Sequence, residues 1–141
     1  LQEVYDHLRR HNVLLEGTLL KPNMVLSGKS ASHRADCSEV AERTVECLAN
    51  TVPAAVPGIV FLSGGQSDEE ATVNLNAINK FASSQGVPWE LSFSYGRALQ
   101  HDPLMTWNGS NENKSAAQDT FLKRAKLNGL ARYGKYNTNM E

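Results

Sequence analysis

The sequence contains little that would place it in a specialised class of proteins. It has only two cysteines among 141 residues, and its formal net charge is −1. So few cysteines do not make a disulfide-rich scaffold, and a charge near zero argues against nucleic acid or an anionic membrane as the main partner. No apolar run approaches the roughly 18–20 residues of a membrane-spanning helix. What is present, 40% hydrophobic and 21% charged residues, is typical of a single globular core.

The two cysteines fit a reducing compartment. Cys37 and Cys47 fall in one predicted helix, about 15 Å apart at 1.5 Å per residue. That separation is too long for a disulfide, and the spacing is not that of metal ligands. No signal-peptide pattern opens the chain. Because Leu1 stands where a methionine would begin a protein and the first residues are helical in pattern, we expect the chain to begin inside a longer sequence.

Strand and helix patterns alternate along the chain. Asp36 and Ser67, each followed three residues later by glutamate, are predicted N-caps, and Asp102 with Pro103 is predicted to open a short helix. The tail after Gly134 is polar and predicted to fray. The other predicted elements are strands at 13–20, 58–62 and 88–95, and helices at 1–11, 37–51, after Ser67 and at 113–133. The predicted apolar faces are Val40, Ala41, Val45, Leu48 and Ala49; Ala71, Leu75, Ile78 and Ala82; and Ala117, Phe121 and Ala125.

This alternation predicts an α/β fold with parallel strands joined by crossover helices. Two architectures fit: an open doubly wound sheet, or part of a (β/α)8 barrel, which needs about 250 residues when complete. In a barrel, the chemistry gathers at the carboxyl ends of the strands. All three predicted strands end in chemically suggestive residues, which favours one common site.

Lys21 is the candidate nucleophile. It ends an apolar run and is followed at once by Pro22. A lysine in apolar surroundings has a lowered pKa, and the neutral amine can form a Schiff base with a carbonyl. Taken alone, the spacing favours a simpler alternative, a strand-end lysine that points into water.

The other two strand ends carry residues that suit a phosphate. Ser63, Gly64 and Gly65 precede a capped helix, where bare backbone N–H groups and the helix dipole could hold an anion, although an ordinary tight loop would look the same. Arg97 could pair with that anion or form a surface salt bridge. His7 and His11 lie one helical turn apart, but a solvated polar face explains them better than a metal site, since no glutamate of a zinc hydrolase helix lies between them.

Taken together, these motifs resemble class I fructose-bisphosphate aldolase over nearly the whole chain. The resemblance implies that residues 1–141 are one partial domain, the C-terminal portion of a TIM (β/α)8 barrel with about three βα units. The segments that carry it are Leu15–Met24, Phe61–Ser67, Asn74–Asn79, Phe93–Leu99, Lys123–Ala125 and Tyr133–Tyr136.

The resemblance also implies a mechanism. Lys21 would form a Schiff base with fructose 1,6-bisphosphate, which is cleaved to dihydroxyacetone phosphate and glyceraldehyde 3-phosphate. Ser63, Gly64 and Gly65 would bind a substrate phosphate, and Ser94 and Arg97 would help to hold it. No metal or other cofactor is expected. The expected partners are the substrates, the remainder of the aldolase chain and further copies in a homotetramer, in the cytoplasm unless an absent N-terminus targets an organelle.

The sequence departs from the family's pattern by what it does not contain. The family's acid/base glutamate, second lysine and catalytic aspartate belong to earlier strands, which this sequence does not contain. It also does not contain the family's C-terminal tail, which ends in a tyrosine. We therefore expect this segment alone to be slow or inactive. One alternative is a non-catalytic aldolase fragment that acts as a binding module or interface piece. A more distant one is another Schiff-base sugar-phosphate aldolase or a transaldolase.

Overall fold

The computed structural model describes all residues, 1–141, and alternates strands with helices as predicted. None of its helices is long and apolar enough to cross a bilayer. The elements are α1 (Gln2–Arg10), β1 (Leu19–Leu20), α2 (Cys37–Thr51), β2 (Gly58–Phe61), α3 (Asp68–Gln85), β3 (Glu90–Phe93), α4 (Arg97–Trp107) and α5 (Lys114–Arg132). Single turns of 3₁₀ helix lie at Leu15–Gly17, Asn111–Asn113 and Thr138–Met140.

The three strands form one parallel sheet in the order β1-β2-β3. Leu20 lies opposite Ile59 in β2, and Ile59 lies opposite Leu91 in β3. Parallel neighbours that follow one another in the chain need helical crossovers, and α2 and α3 supply them. This confirms the predicted α/β class.

One face of the sheet packs against the helices and contains the core. Ile59 and Phe61 of β2 are fully buried, whereas Val60 between them is only half-buried. Because successive side chains of a strand point to opposite faces, Val60 and Ser92 beside it lie on the face away from the helices. The two faces therefore differ: one packs against the helices, and the other is not covered by them.

Side chains cap the N-termini of the two crossover helices, α2 and α3. The Asp36 carboxylate accepts bonds from the backbone N–H groups of Ser38 and Glu39, and the Ser67 hydroxyl accepts one from that of Glu70. Each cap satisfies backbone donors that the first helical turn cannot pair. Both predicted N-caps are confirmed.

The face of α2 differs from its prediction at two residues. Ala49, which was predicted to be buried, is exposed. Thr44, which was not predicted to be buried, is only 1% exposed. The Thr44 hydroxyl accepts a hydrogen bond of 3.0 Å from the Val25 backbone N–H. Because this partner comes from a distant loop, a search for apolar spacing alone passed over Thr44.

The predicted strand at 13–20 is mostly wrong. Only Leu19 and Leu20 pair with β2, and Leu15–Gly17 forms a 3₁₀ turn. The N–H groups of Gly17 and Thr18 bond back to the carbonyls of Leu14 and Leu15. These donors are then unavailable to a sheet, so the apolar run turns before it becomes a strand.

The helix predicted to begin at Asp102 and Pro103 is also wrong. Helix α4 begins at Arg97, after Gly96, and Pro103 lies inside it. A proline there removes one helical hydrogen bond, since it has no N–H. Pro103 is buried where α4 meets α5, and this apolar burial offsets the lost bond.

Helix α5 and the tail correct two further predictions. The buried residues of α5 are Arg124, Leu127, Asn128 and Ala131, whereas the predicted Ala117 and Ala125 are half-buried and Phe121 is exposed. This occurs because the second half of α5 packs on α3 through polar as well as apolar side chains.

The tail does not fray: Tyr136 is 5% exposed, and its N–H donates to the Asn76 side chain at 3.0 Å.

Candidate functional site

The carboxyl ends of the three strands hold the predicted segments side by side. The Leu62 N–H donates to the Pro22 carbonyl at 3.0 Å, and the Ser94 N–H donates to the Phe61 carbonyl at 2.8 Å. These bonds extend the pairing past the strands. Lys21, the Ser63 turn and Ser94 consequently lie at one end of the sheet, as the sequence predicts.

Lys21 lies on the sheet face away from the helices. It follows Leu20, which packs toward the core, so strand alternation turns Lys21 to the opposite face. The residue is exposed and forms no ion pair. In this segment Lys21 therefore matches the simpler alternative, a strand-end lysine that points into water, because the helices cover only the other face.

The four residues Ser63–Gln66, here called the glycine turn, join β2 to α3. The Gln66 N–H donates to the Ser63 carbonyl at 2.9 Å, and Gly64 and Gly65 have φ values of +48° and +83°. Two successive positive φ values are those of a type I′ turn, which L-residues with a Cβ adopt at a cost. The two glycines are therefore needed to bring this backbone close to the neighbouring segment.

That neighbour is Lys21–Met24, here called the lysine segment. The Asn23 side chain packs directly against Gly64, where no Cβ would fit. The Asn23 side-chain oxygen also accepts a bond of 3.1 Å from the Met24 N–H. The nucleophile candidate and the phosphate-loop candidate are thus in contact through Asn23, which the sequence reasoning did not single out although it lies two residues after Lys21.

Lys29 brings a further positive charge to the glycine turn. Its ammonium nitrogen lies 3.8 Å from the position that a Cβ on Gly65 would occupy. Lys29 is exposed and forms no ion pair. Sequence reasoning missed it, because nothing in the Gly/Ser-rich loop at 27–35 signals that the loop lies beside Gly65.

Arg97 faces Gly65 across an open cavity of about 480 Å³. Residues from the start of α3 and from α4 line the cavity, and none of them is apolar; they are Gly65, Gln66, Ser67, Asp68, Glu69, Arg97, His101 and Asp102. Lys21 and Ser94 do not line it. The structure thus brings Arg97 to the turn, and the half-buried Ser94 adjoins β2 instead.

Carboxylates shape the charge of this cavity. Burial raises the pKa of Asp68, and the nearby Asp102 charge raises it further, while Arg124 and His101 oppose these effects. One Asp68 oxygen is buried without a hydrogen-bond partner. The carboxylates among the lining residues therefore disfavour an anion, and Gly65 and Arg97 are the lining residues that suit one.

The histidine pair of α1 takes no part in the site. His7 and His11 are exposed, and His7 lies 3.9 Å from Glu3 on the same helix. The chain contains no group of three or more histidine, cysteine, aspartate or glutamate side chains arranged to hold a metal ion. Cys37 and Cys47 are free and exposed on α2.

Parallel βα units with polar groups at the carboxyl ends of their strands are typical of (β/α)-barrel enzymes, in which loops at this end frequently bind a phosphate. The family model described as "Glycolytic: Fructose-bisphosphate aldolase class-I" matches residues 1–141. The chain belongs to the class I fructose-bisphosphate aldolase family.

Individual relatives agree with this assignment. Fructose-bisphosphate aldolase B of Gallus gallus is 57% identical over 138 residues, which are 98% of this chain and 37% of the relative. The cytoplasmic isozyme of fructose-bisphosphate aldolase from Cicer arietinum is 57% identical over 141 residues, all of this chain and 38% of the relative. The chain therefore spans slightly more than a third of the length of the curated relatives it matches.

A solved structure shows the same fold. Fructose-bisphosphate aldolase of Plasmodium falciparum, in complex with TRAP and a small-molecule inhibitor, superposes with a TM-score of 0.92 at 51% identity. The match covers 96% of this chain and 38% of that one. This confirms the predicted partial (β/α) barrel and excludes the alternative of an open doubly wound sheet.

Proposed function

We propose that the protein containing this segment is a fructose-bisphosphate aldolase that works through a Schiff base on Lys21. The observation that carries the proposal is the contact between the lysine segment and the glycine turn through Asn23 and Gly64. In a chain of this family, that contact supports the proposal because it joins the segment that contains Lys21 to the candidate phosphate loop at the ends of neighbouring strands.

The covalent step uses the Lys21 amine. The neutral amine attacks the ketone carbon of fructose 1,6-bisphosphate, and loss of water leaves a positively charged iminium. A base from the remainder of the protein would take the proton of the C4 hydroxyl as the C3–C4 bond breaks; the electron pair of that bond passes to the iminium, and glyceraldehyde 3-phosphate is released. The resulting enamine is protonated and then hydrolysed, which releases dihydroxyacetone phosphate and restores the amine.

The phosphate is expected on the glycine turn. Backbone N–H groups of Ser63, Gly64 and Gly65 would donate to its oxygens, as in other anion-binding turns that precede a helix. Ser94, which follows β3, and Arg97, which begins α4, would help to hold the same group. A phosphate that is bound away from the reacting carbon fixes the substrate's orientation. This lowers the entropic part of the activation free energy of the cleavage reaction.

The proposed reaction also needs groups that move protons. The chain would supply the amine and the anion site, and the remainder of the protein would supply the acid and base. We therefore expect the segment alone to be slow or inactive. The alternative is a non-catalytic fragment that serves as a binding module or interface piece.

Borohydride trapping tests the proposal. The intact protein is incubated with dihydroxyacetone phosphate, reduced with borohydride and digested, and the peptide masses are measured. A reduced adduct on Lys21 that is lost in Lys21→Met but kept in Lys126→Met, an exposed lysine of α5, supports the Schiff base. A folded protein without an adduct contradicts it and favours the non-catalytic alternative.

One further test and two finer proposals follow from family membership. Relative rates on fructose 1,6-bisphosphate and fructose 1-phosphate would separate this activity from that of other Schiff-base sugar-phosphate aldolases or a transaldolase. A homotetramer is proposed on the resemblance, and light scattering of the intact protein measures it. A cytoplasmic location is proposed because relatives in Pisum sativum and Cicer arietinum are named as cytoplasmic isozymes, and cell fractionation tests it.

A further inference from the structure

Gln66 joins three separate parts of the chain beneath the glycine turn. The residue is 7% exposed, and its side-chain Nε2 donates to the Ser63 carbonyl at 3.0 Å. The same nitrogen lies 3.6 Å from the Met24 sulfur, its second acceptor. Its Oε1 accepts a bond of 2.7 Å from Asn74 Nδ2 in α3.

The partners leave the Gln66 amide only one orientation. Asn74 presents a donor on one side and the Ser63 carbonyl presents an acceptor on the other. A flipped amide would set N–H against N–H and oxygen against oxygen, and both bonds would be lost in a buried place. Asn74, Ser63 and Met24 are themselves 4%, 6% and 3% exposed, so water cannot replace the lost partners.

This arrangement connects the lysine segment to the glycine turn. Met24 ends the lysine segment, and Ser63 begins the glycine turn. The contact of Asn23 with Gly64 joins the same two segments, and the Pro22 carbonyl accepts a bond from the N–H of Leu62, which immediately precedes the turn. Of these three contacts, the one made by Gln66 is buried. It is also the only one that connects both segments to a helix, through Asn74 of α3.

We propose that Gln66 is a positioning residue for the reaction described above. Held by Asn74, it fixes where the Lys21 amine stands relative to the phosphate-binding turn, and it acts through Ser63 and Met24 without touching the substrate. The inference rests on the proposed function.

The first test is Gln66→Met in the intact protein. Methionine keeps the length of the side chain but lacks the amide. A misplacement of about 1 Å costs up to about 100-fold in rate, so we expect borohydride trapping on Lys21 to slow by about 10- to 100-fold. Inorganic phosphate should also bind more weakly. Gln85→Met, at the exposed C-terminal end of α3, is the control and should change neither.

The second test is Gln66→Glu, which keeps the shape of the side chain. As a carboxylate it would set an oxygen against the Ser63 carbonyl, whereas the protonated acid can donate there as the amide does. The trapping rate of the variant relative to the parent at the same pH should therefore rise as the pH falls through the pKa of the new carboxyl. Because protonation would also relieve a loss of stability, the ratio is compared only at pH values where the variant is fully folded, and a ratio there that does not change with pH contradicts the proposal.

The outcomes separate the two proposals. If the parent protein forms no adduct on Lys21, the proposed function fails, and the role of Gln66 fails with it. If the parent forms the adduct and both Gln66 variants trap at the parental rate, only the positioning role is overturned. Should Gln66→Met not fold, the pH dependence of Gln66→Glu decides the question alone.

Discussion

Asn23 lies in the space that a Cβ on Gly64 would need: the carboxamide carbon of Asn23 is 2.7 Å from that position. Real Cβ contacts are never so short. The lysine segment and the glycine turn therefore approach each other as closely as they do only because residue 64 has no side chain. This relationship makes Gly64 a structural requirement of the site rather than a flexible point in a loop.

Gly64→Ala should damage the turn on two counts. The added methyl meets Asn23, and the φ of +48° is strained for alanine. Strain of this kind costs about 1–3 kcal/mol. We expect a lower unfolding midpoint in urea and weaker binding of inorganic phosphate to the intact protein. Gly28→Ala is the matched control, since nothing lies within 4 Å of its Cβ position; equal effects of the two substitutions would contradict the account.

Arg97→Ala should weaken phosphate binding without removing the Schiff base. A hydrogen bond to a charged group contributes about 1.5–3 kcal/mol, which corresponds to roughly 10- to 100-fold in affinity. We expect KM for fructose 1,6-bisphosphate to rise by that factor while Lys21 can still be trapped at saturating substrate. Isothermal titration with inorganic phosphate measures the same loss directly. An unchanged affinity would show that Arg97 points away from the anion.

Lys29→Ala tests the cation that the structure adds to the site. The Lys29 ammonium lies beside Gly65 and has no carboxylate partner, so its removal should weaken phosphate binding about 3- to 10-fold, less than the loss at Arg97 because the side chain is exposed and screened. The loss should shrink when the salt concentration is raised. Lys114→Ala, an exposed lysine at the start of α5, should have no effect. A salt-independent loss would contradict a role for the charge.

Glu141 should stabilise the packing of the tail. Its carboxylate accepts bonds of 2.8 and 2.6 Å from Arg124, which is 4% exposed, and one of 2.9 Å from the Tyr136 hydroxyl. Glu141→Gln would leave the buried guanidinium without its counter-charge, and we expect a loss of about 1–3 kcal/mol in the free energy of unfolding of the intact protein. Glu112→Gln, on an exposed turn, serves as the control.

The same pair gives a prediction for pH. Burial alone would raise the pKa of Glu141, but hydrogen bonds from Arg124 and Tyr136 outweigh it, and the pKa is lowered from its ordinary value of 4.5. A carboxyl with a lowered folded-state pKa contributes stability above its unfolded pKa and loses it as the pH falls through the folded one. The stability difference between the parent and Glu141→Gln should therefore be constant near neutral pH and shrink below about pH 4.5.

Local signals were the part of the fold that the sequence could predict. Ser67 is found as an N-cap because its partner, the N–H of Glu70, lies three residues away. Pro103 was misjudged because a local rule makes it a helix start, whereas packing between α4 and α5 decides its place. The buried tail was missed for the same reason, since Tyr136 is held by Asn76, far away in the chain.

The candidate site divides in the same way. The order of strands predicted that Lys21, Ser63 and Arg97 gather at one end of the sheet, because parallel strands share a direction. The contact of Asn23 with Gly64 and the approach of Lys29 to Gly65 depend on how two loops fold over each other. No residue spacing encodes that, so only the coordinates reveal it.

The glycine turn and the lysine segment differ in how far along the chain their contacts reach. The turn is closed by a bond between Ser63 and Gln66 and is followed at once by the Ser67 cap, so it is built almost entirely from neighbours. The place of Lys21 depends on Leu62 and Gly64, some forty residues later. Contacts between distant residues carry the larger cost of closing a loop and form slowly. We therefore expect the glycine turn to form early in folding and the lysine segment to reach it later.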